Sequence, residues 1–250
     1  MITIKSPREI ALMREAGRIV SETFTVLAKA IKPGVTTIEL DRLAENFIRQ
    51  KHVRPAFKGL YNFPASICTS VNEEVVHGIP GQRKLKEGDI ISIDLGVELN
   101  GYFGDGARTF PVGEISADAK ALLKVTREAL AEGISNAQAE NRLFDISHAI
   151  QSYVEGHGFS VVRDYVGHGI GRAMHEEPQV PNYGKPGRGL RLVSGMTLAI
   201  EPMVNAGTHA VRTLADNWTV VTLDGKLSAH FEHTVLVLNN KPEILTAGVE

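Results

Sequence analysis

Residues 89–110 read DIISIDLGVELNGYFGDGARTF, and this stretch constrains the fold more tightly than any other. Apolar and β-branched residues flank Asn100-Gly101, a dipeptide suited to the positive-φ positions of a tight hairpin turn, so two antiparallel strands are predicted. Asp94 and Asp105 sit on either side of that turn. A four-residue loop over 98–101 would set position 94 directly opposite 105, whereas a two-residue Asn100-Gly101 loop would make the two diagonal neighbours. Side chains alternate along a strand, so both loops leave the two carboxylates on one face. Like charges paired across a sheet are destabilising, and a bound cation is the simplest compensation. Either aspartate alone has an ordinary reading as a turn or backbone-bonding residue. The pair asks what else the chain brings to that face.

Before the hairpin, Ser6-Pro7-Arg8-Glu9 reads as a helix start, with Ser6 as N-cap, Pro7 in the first helical position and Glu9 closing a capping box. Ile10, Met13, Ile19 or Val20, Phe24, Leu27 and Ile31 follow at helical spacing until Lys32-Pro33-Gly34. Thr36 and Glu39 open a second helix through Leu40, Leu43, Phe47 and Ile48. Residues 53–80 look irregular, with a short strand around Ile67-Cys68-Thr69. From Ser116 the order of elements begins again: helices over 119–131 and 143–155, then a strand over 159–166. Strands over 196–204 and 230–238 would be the second counterpart of the hairpin. This repetition predicts two similar α/β halves facing one another across a cleft, in a single domain over 1–250.

The 250 residues are enough for an ample core, and 27 basic against 29 acidic residues argue against a broad electrostatic grip on nucleic acid or anionic lipid. One cysteine, Cys68, excludes an intrachain disulfide framework and fits a reducing compartment. With no secretory signal over residues 1–10 and no apolar run of membrane-spanning length, a cytoplasmic protein is expected.

Three further residues join the two aspartates. His168 lies among glycines in YVGHGIG at the end of a predicted strand, and Glu201 in LAIEPMV and Glu232 in HFEHTVLV are acids inside apolar strands. Acids in such runs are rarely buried without a partner. Asp94, Asp105, Glu201 and Glu232 carry four negative charges, which two divalent ions would cancel and one would not. Two ions sharing a site can activate water for hydrolysis, and four carboxylates with one imidazole suit Mn(II), Fe(II), Co(II) or Zn(II) better than a thiolate-rich structural zinc site. The chain has no C-x-x-C, H-E-x-x-H, P-loop or G-x-S-x-G motif. His77 in VVHGIP and His175 in AMHEEP are not needed for this charge balance and fit donors to substrate or to a tetrahedral intermediate.

IDLG, GDGARTF, GHGIG, MHEEP, IEPM and FEHT, in this order and preceded by VNEEVVHGIP, resemble the methionine aminopeptidases of the type I bacterial form, over nearly the whole chain. The resemblance implies an α+β pita-bread fold, in which two pseudo-symmetric α/β halves surround a central antiparallel sheet and a dinuclear metal centre. It implies ligation by Asp94, Asp105, His168, Glu201 and Glu232, with Asp105 and Glu232 bridging, substrate contacts from His77 and His175, and a proton-shuttling role for Glu201. The reaction implied is hydrolytic removal of N-terminal methionine from nascent chains, preferentially before a small second residue, by a cytoplasmic monomer working near the ribosome. Phe57, Leu60, Phe63, Cys68, Met174 and Trp218 resemble the wall of the methionine pocket, although Leu60 stands where relatives carry tyrosine. The rivals are an Xaa-Pro aminopeptidase and a non-catalytic binding protein of the same fold. Xaa-Pro enzymes usually carry a second histidine just upstream of position 168, where this chain has Asp164.

Overall fold

Ser6 opens helix α1 (Pro7–Ala30) through the reciprocal cap predicted: its hydroxyl accepts the Glu9 N–H, and the Glu9 carboxylate accepts the Ser6 N–H at 2.8 Å. Thr36 and Glu39 repeat the device at α2 (Thr37–Gln50). Each cap is worth about 1 kcal/mol. The computed structural model that shows this describes residues 2–248.

The buried stripe of α1, including Ala16, Gly17, Val20 and Phe24, lies on the hairpin formed by strands Ile90–Leu99 and Tyr102–Pro111. Close approach depends on small residues: a Cβ at Gly104 would crowd the α1 backbone at Ala16-Gly17. Asn100 and Gly101 take φ of 51° and 79°, and Leu99 pairs with Tyr102, so the turn has two residues. Of the two registers open in the sequence, the diagonal one holds: Asp94 pairs with Ala107, and Asp105 with Gly96. Strand Cys68–Val71 pairs with the other edge of Ile90–Leu99 and sets Cys68 opposite Asp94.

The second half repeats the arrangement with α3 (Ala117–Ser135), α4 (Leu143–Gly156) and a sheet in which Gly167–Gly169, Thr197–Ile200 and His233–Leu236 are neighbours. Each half has its own apolar core, one around Phe24, Leu40 and Ile93 and one around Leu122, Ile146 and Leu198. This is the α+β pita-bread architecture expected, with two α/β halves.

Three strands differ from expectation. The strand over 159–166 shrinks to Ser160–Val161, with Gly167–Gly169 in a different sheet. The segments 196–204 and 230–238 are each interrupted: Thr197–Ile200 pairs with His233–Leu236, and Met203–Asn205 with Ser228–His230. Pro202, which has no N–H to give a ladder, sits in one gap, and Phe231-Glu232 sit in the other. Both ladders keep one register across the gap, which brings Glu201 opposite Glu232. The strand Glu74–Val76, inside the segment read as irregular, was not legible as a strand because it has only three residues.

The halves meet along a seam. Thr234 Oγ1 accepts the Asp105 N–H at 3.0 Å and donates to the Asp105 carbonyl at 2.8 Å. The Glu232 N–H donates to the Ala107 carbonyl at 2.9 Å, and Thr109 Oγ1 bonds both backbone groups of His230. Residues 105–109 thus run antiparallel to 230–234, and the acid-bearing strands of the two halves lie side by side.

Candidate metal centre and its cavity

The seam and the two strand pairs bring all five predicted ligand candidates to one place. One ligand atom from each of Asp105, His168 and Glu232 lies within 4.8 Å of the others, and all three residues are buried. His168 Nε2 is 3.7 Å from Asp105 Oδ2 and 3.6 Å from Glu201 Oε1. Asp94 faces the same cavity from the diagonal position on the hairpin. His168 Nδ1 lies 2.9 Å from the Gly169 carbonyl. An Nδ1–H donated there leaves Nε2 with its lone pair directed at the acids, the tautomer a metal ligand needs.

The donor set passes a direct test of fit. Asp94 Oδ1 and Glu232 Oε1 are buried with no hydrogen-bond partner, and among the described residues no lysine or arginine pairs with any of the four acids. Buried carboxylate oxygens without partners are expensive. Hard oxygen donors with one imidazole are what a borderline divalent ion accepts.

Electrostatics agree. Burial pushes the Asp105 carboxyl up to about 7, while burial and then repulsion from neighbouring acids push Asp94, Glu201 and Glu232 well above the carboxylate range. Burial, then the neighbouring His175, brings His168 down to about 4, and burial brings His77 down to about 4 as well. Without metal the site is therefore a cluster of protonated acids and neutral imidazoles, and a divalent ion must displace protons to bind. Metal binding at pH 7 will release protons, and affinity will rise as pH rises through about 7. Calorimetric titration in buffers of different ionisation enthalpy measures the release; no buffer dependence would contradict it. For metal-free protein the sign is also fixed. Above pH 6.5, where unfolded histidines are neutral, the folded chain still holds carboxyl protons that the unfolded chain has lost, so stability falls as pH rises through about 7.

A cavity of about 230 Å³ opens onto these groups, lined by Phe57, Leu60, Tyr61, Phe63, Cys68 and Trp218. Phe63 and Trp218 meet edge to face at 5.0 Å, and Trp218 lies edge-on to His77 at 6.2 Å. Met174 does not line the cavity. It is buried with its methyl group over Gly96, where an added Cβ would collide with it, on the strand face that carries Asp94 and against the Phe57 ring. Cys68 is buried next to the acids, and burial followed by Asp94 raises its thiol pKa.

His77 and His175 reach the same cavity. His77 takes a φ of 60° directly after strand Glu74–Val76. The carbonyl of Gly78, next to it, accepts the Thr69 N–H at 2.8 Å, and Gly78 packs so closely that a Cβ would collide with the Thr69 carbonyl. Gly78→Ala will therefore destabilise by about 1–3 kcal/mol, lowering the calorimetric midpoint by several degrees; an unchanged midpoint would contradict the close packing. His175 stacks on Tyr61 at 5.8 Å and meets the His168 ring at 4.5 Å.

Two neighbours of the site went unread in the sequence. Tyr61 gave no periodic signal, since it sits in an irregular turn with φ of 48°. His230 did carry one: it stands two residues before Glu232, on the same face of a strand.

A second, polar groove of about 490 Å³ leaves the centre past His77, Tyr165, His175 and Gln179. It provides room for a chain extending away from the apolar cavity.

Comparison with known proteins agrees with this geometry. The profile described as metallopeptidase family M24 matches residues 11–239. The methionine aminopeptidase of Clostridium acetobutylicum is 63% identical over 247 residues, covering 98% of this chain and 99% of that protein. The crystal structure of methionine aminopeptidase from Thermotoga maritima superposes with a TM-score of 0.97 at 50% identity, covering 98% and 99% of the two chains. The prolidase of Pyrococcus horikoshii shares the fold, with a TM-score of 0.81 at 22% identity, but this chain covers only 63% of it.

Proposed function

Because the chain belongs to metallopeptidase family M24 and, within it, to the methionine aminopeptidases, we propose that it hydrolyses the first peptide bond of chains that begin with methionine, preferentially before a small second residue. The observation that carries this reading is the apolar cavity of about 230 Å³, walled by aromatic and sulfur-bearing side chains, that ends on the acid cluster. A flexible thioether fits such walls.

In this reading Asp94, Asp105, His168, Glu201 and Glu232 would hold two divalent ions; Mn(II), Fe(II), Co(II) and Zn(II) all suit the donors. Bound there, the ions supply Lewis acidity that lowers the pKa of water and offsets charge developing on the carbonyl oxygen. The rest is done by the chain. Phe57, Phe63, Cys68 and Trp218 seat the methionine side chain and exclude water from it. His175, held neutral by burial, donates a hydrogen bond to the oxygen of the scissile carbonyl, and His77 donates to the peptide. Glu201, a carboxylate in the metal-loaded site, takes a proton from water and returns it to the leaving amine.

Among the described residues no helix is long and apolar enough to cross a membrane. In this reading the chain acts as a cytoplasmic monomer on N-termini as they leave the ribosome.

The experiment is release of free amino acid from Met-Ala-Ser and Ala-Pro-Ser peptides by metal-loaded protein. Methionine release alone is expected. Cleavage of Ala-Pro-Ser alone would make the protein an Xaa-Pro peptidase, and cleavage of neither despite bound metal would make it a binding protein.

A further inference from the structure

His230 has no part in the mechanism above, yet it is 1% exposed and neither ring nitrogen has a hydrogen-bond partner. Its backbone is fixed from both sides: Thr109 Oγ1 accepts its N–H at 2.9 Å and donates to its carbonyl at 2.8 Å. The ring is therefore aimed by a clamped strand. It points at Glu201, with Nε2 3.6 Å from Oε2. The other oxygen of the same carboxyl, Oε1, lies 3.6 Å from His168 Nε2. Glu201 thus stands between two imidazoles, each facing one oxygen.

The two rings differ in what their far nitrogens do. His168 Nδ1 has the Gly169 carbonyl as acceptor, which leaves its Nε2 free to offer a lone pair. His230 Nδ1 has no such acceptor, so nothing holds the ring proton away from Nε2. A buried imidazole N–H is costly unless it finds an acceptor, and Glu201 Oε2 is the acceptor within reach. Closing 3.6 Å to hydrogen-bond length takes a shift of roughly 0.7 Å, a side-chain adjustment that needs no strand movement.

We propose that His230 is a positioning residue, which donates its Nε2 proton to Glu201 Oε2 and so turns Oε1 toward the metal beside His168. The proposal rests on Glu201 being a ligand. Outer hydrogen-bond partners of this kind fix a ligand's orientation and raise metal affinity.

Glutamine can place an amide N–H where Nε2 stands, whereas asparagine is too short. The test is therefore to titrate metal-free wild type, His230→Gln and His230→Asn with Co(II), followed by calorimetry and visible absorption, with turnover of Met-Ala-Ser in parallel. The expected result is that His230→Asn weakens Co(II) binding at one site by about 10- to 100-fold, changes the Co(II) spectrum and lowers kcat with KM within about twofold, while His230→Gln restores affinity and spectrum. His230→Asn with wild-type affinity and spectrum would overturn the proposal. His230→Gln as defective as His230→Asn would also overturn it, because His230 would then be a ligand itself. The wild-type chain loaded with Zn(II) gives an answer without substitution: an imidazole nitrogen spectrum with a protonated His230 Nε2 supports the donor role, and an unprotonated Nε2 overturns it. Failure of the wild type to bind Co(II) at all is a separate outcome, which would remove the metal-centre reading before any variant is compared.

Discussion

Asp105→Asn will lower kcat/KM by at least about 10³-fold and will leave the chain with less than its full complement of divalent ions. Asp105 is 3% exposed and is fixed at every point: its backbone bonds Thr234 twice, its Oδ1 accepts the Gly106 N–H at 3.0 Å, and its Oδ2 faces His168 Nε2. Asparagine keeps that shape and removes the charge, so the loss reports electrostatics and not collapse of the seam. The same substitution will raise the stability of the metal-free protein near pH 7.5. There the wild-type Asp105 carboxyl, pushed up to about 7 by burial, is held at a cost to folding that asparagine does not carry. Steady-state kinetics with saturating Mn(II), metal analysis and calorimetric melting of stripped protein check all three parts. Wild-type turnover with metal present would remove Asp105 from the centre.

His175→Ala will lower kcat by about 10²- to 10³-fold and leave the bound metal unchanged. Its ring lines both the apolar cavity and the polar groove, 4.5 Å from the His168 ring and stacked on Tyr61, and it is not in the tight cluster of Asp105, His168 and Glu232. Neutral through burial, it donates a hydrogen bond at pH 7 through the one ring nitrogen that carries a proton. KM will move much less than kcat, since a donor aimed at developing charge acts mainly in the transition state. His77→Ala should likewise slow turnover and keep the metal. Loss of metal from either variant, measured by elemental analysis, would make that histidine a ligand.

The hairpin shows how far local chemistry carries. Asn100-Gly101 and strand alternation were enough to place Asp94 and Asp105 on one face, and only the loop length was left open; the structure closed it at two residues. Helix starts were equally legible, because Ser6/Glu9 and Thr36/Glu39 are self-contained caps. What the sequence left hidden was non-local. Nothing in 105–109 or 230–234 announces that Thr109 and Thr234 will hydrogen-bond across the two halves, yet that seam sets Asp105 beside Glu232. Apolar runs around Glu201 and Glu232 read as continuous strands, and the interruption at Glu201-Pro202 emerged only when both ladders were in place. His230 was legible by alternation from Glu232, though the significance of an imidazole there depends on Glu201 arriving from another strand.

The most direct measurement is a metal titration of stripped protein, counting ions bound per chain while following methionine release from Met-Ala-Ser. Two divalent ions bound per chain, with turnover absent before metal and restored by it, is the predicted result. Turnover that survives complete metal removal, or a chain that binds no ion while remaining folded, would contradict the assignment of Asp94, Asp105, His168, Glu201 and Glu232 as one metal centre.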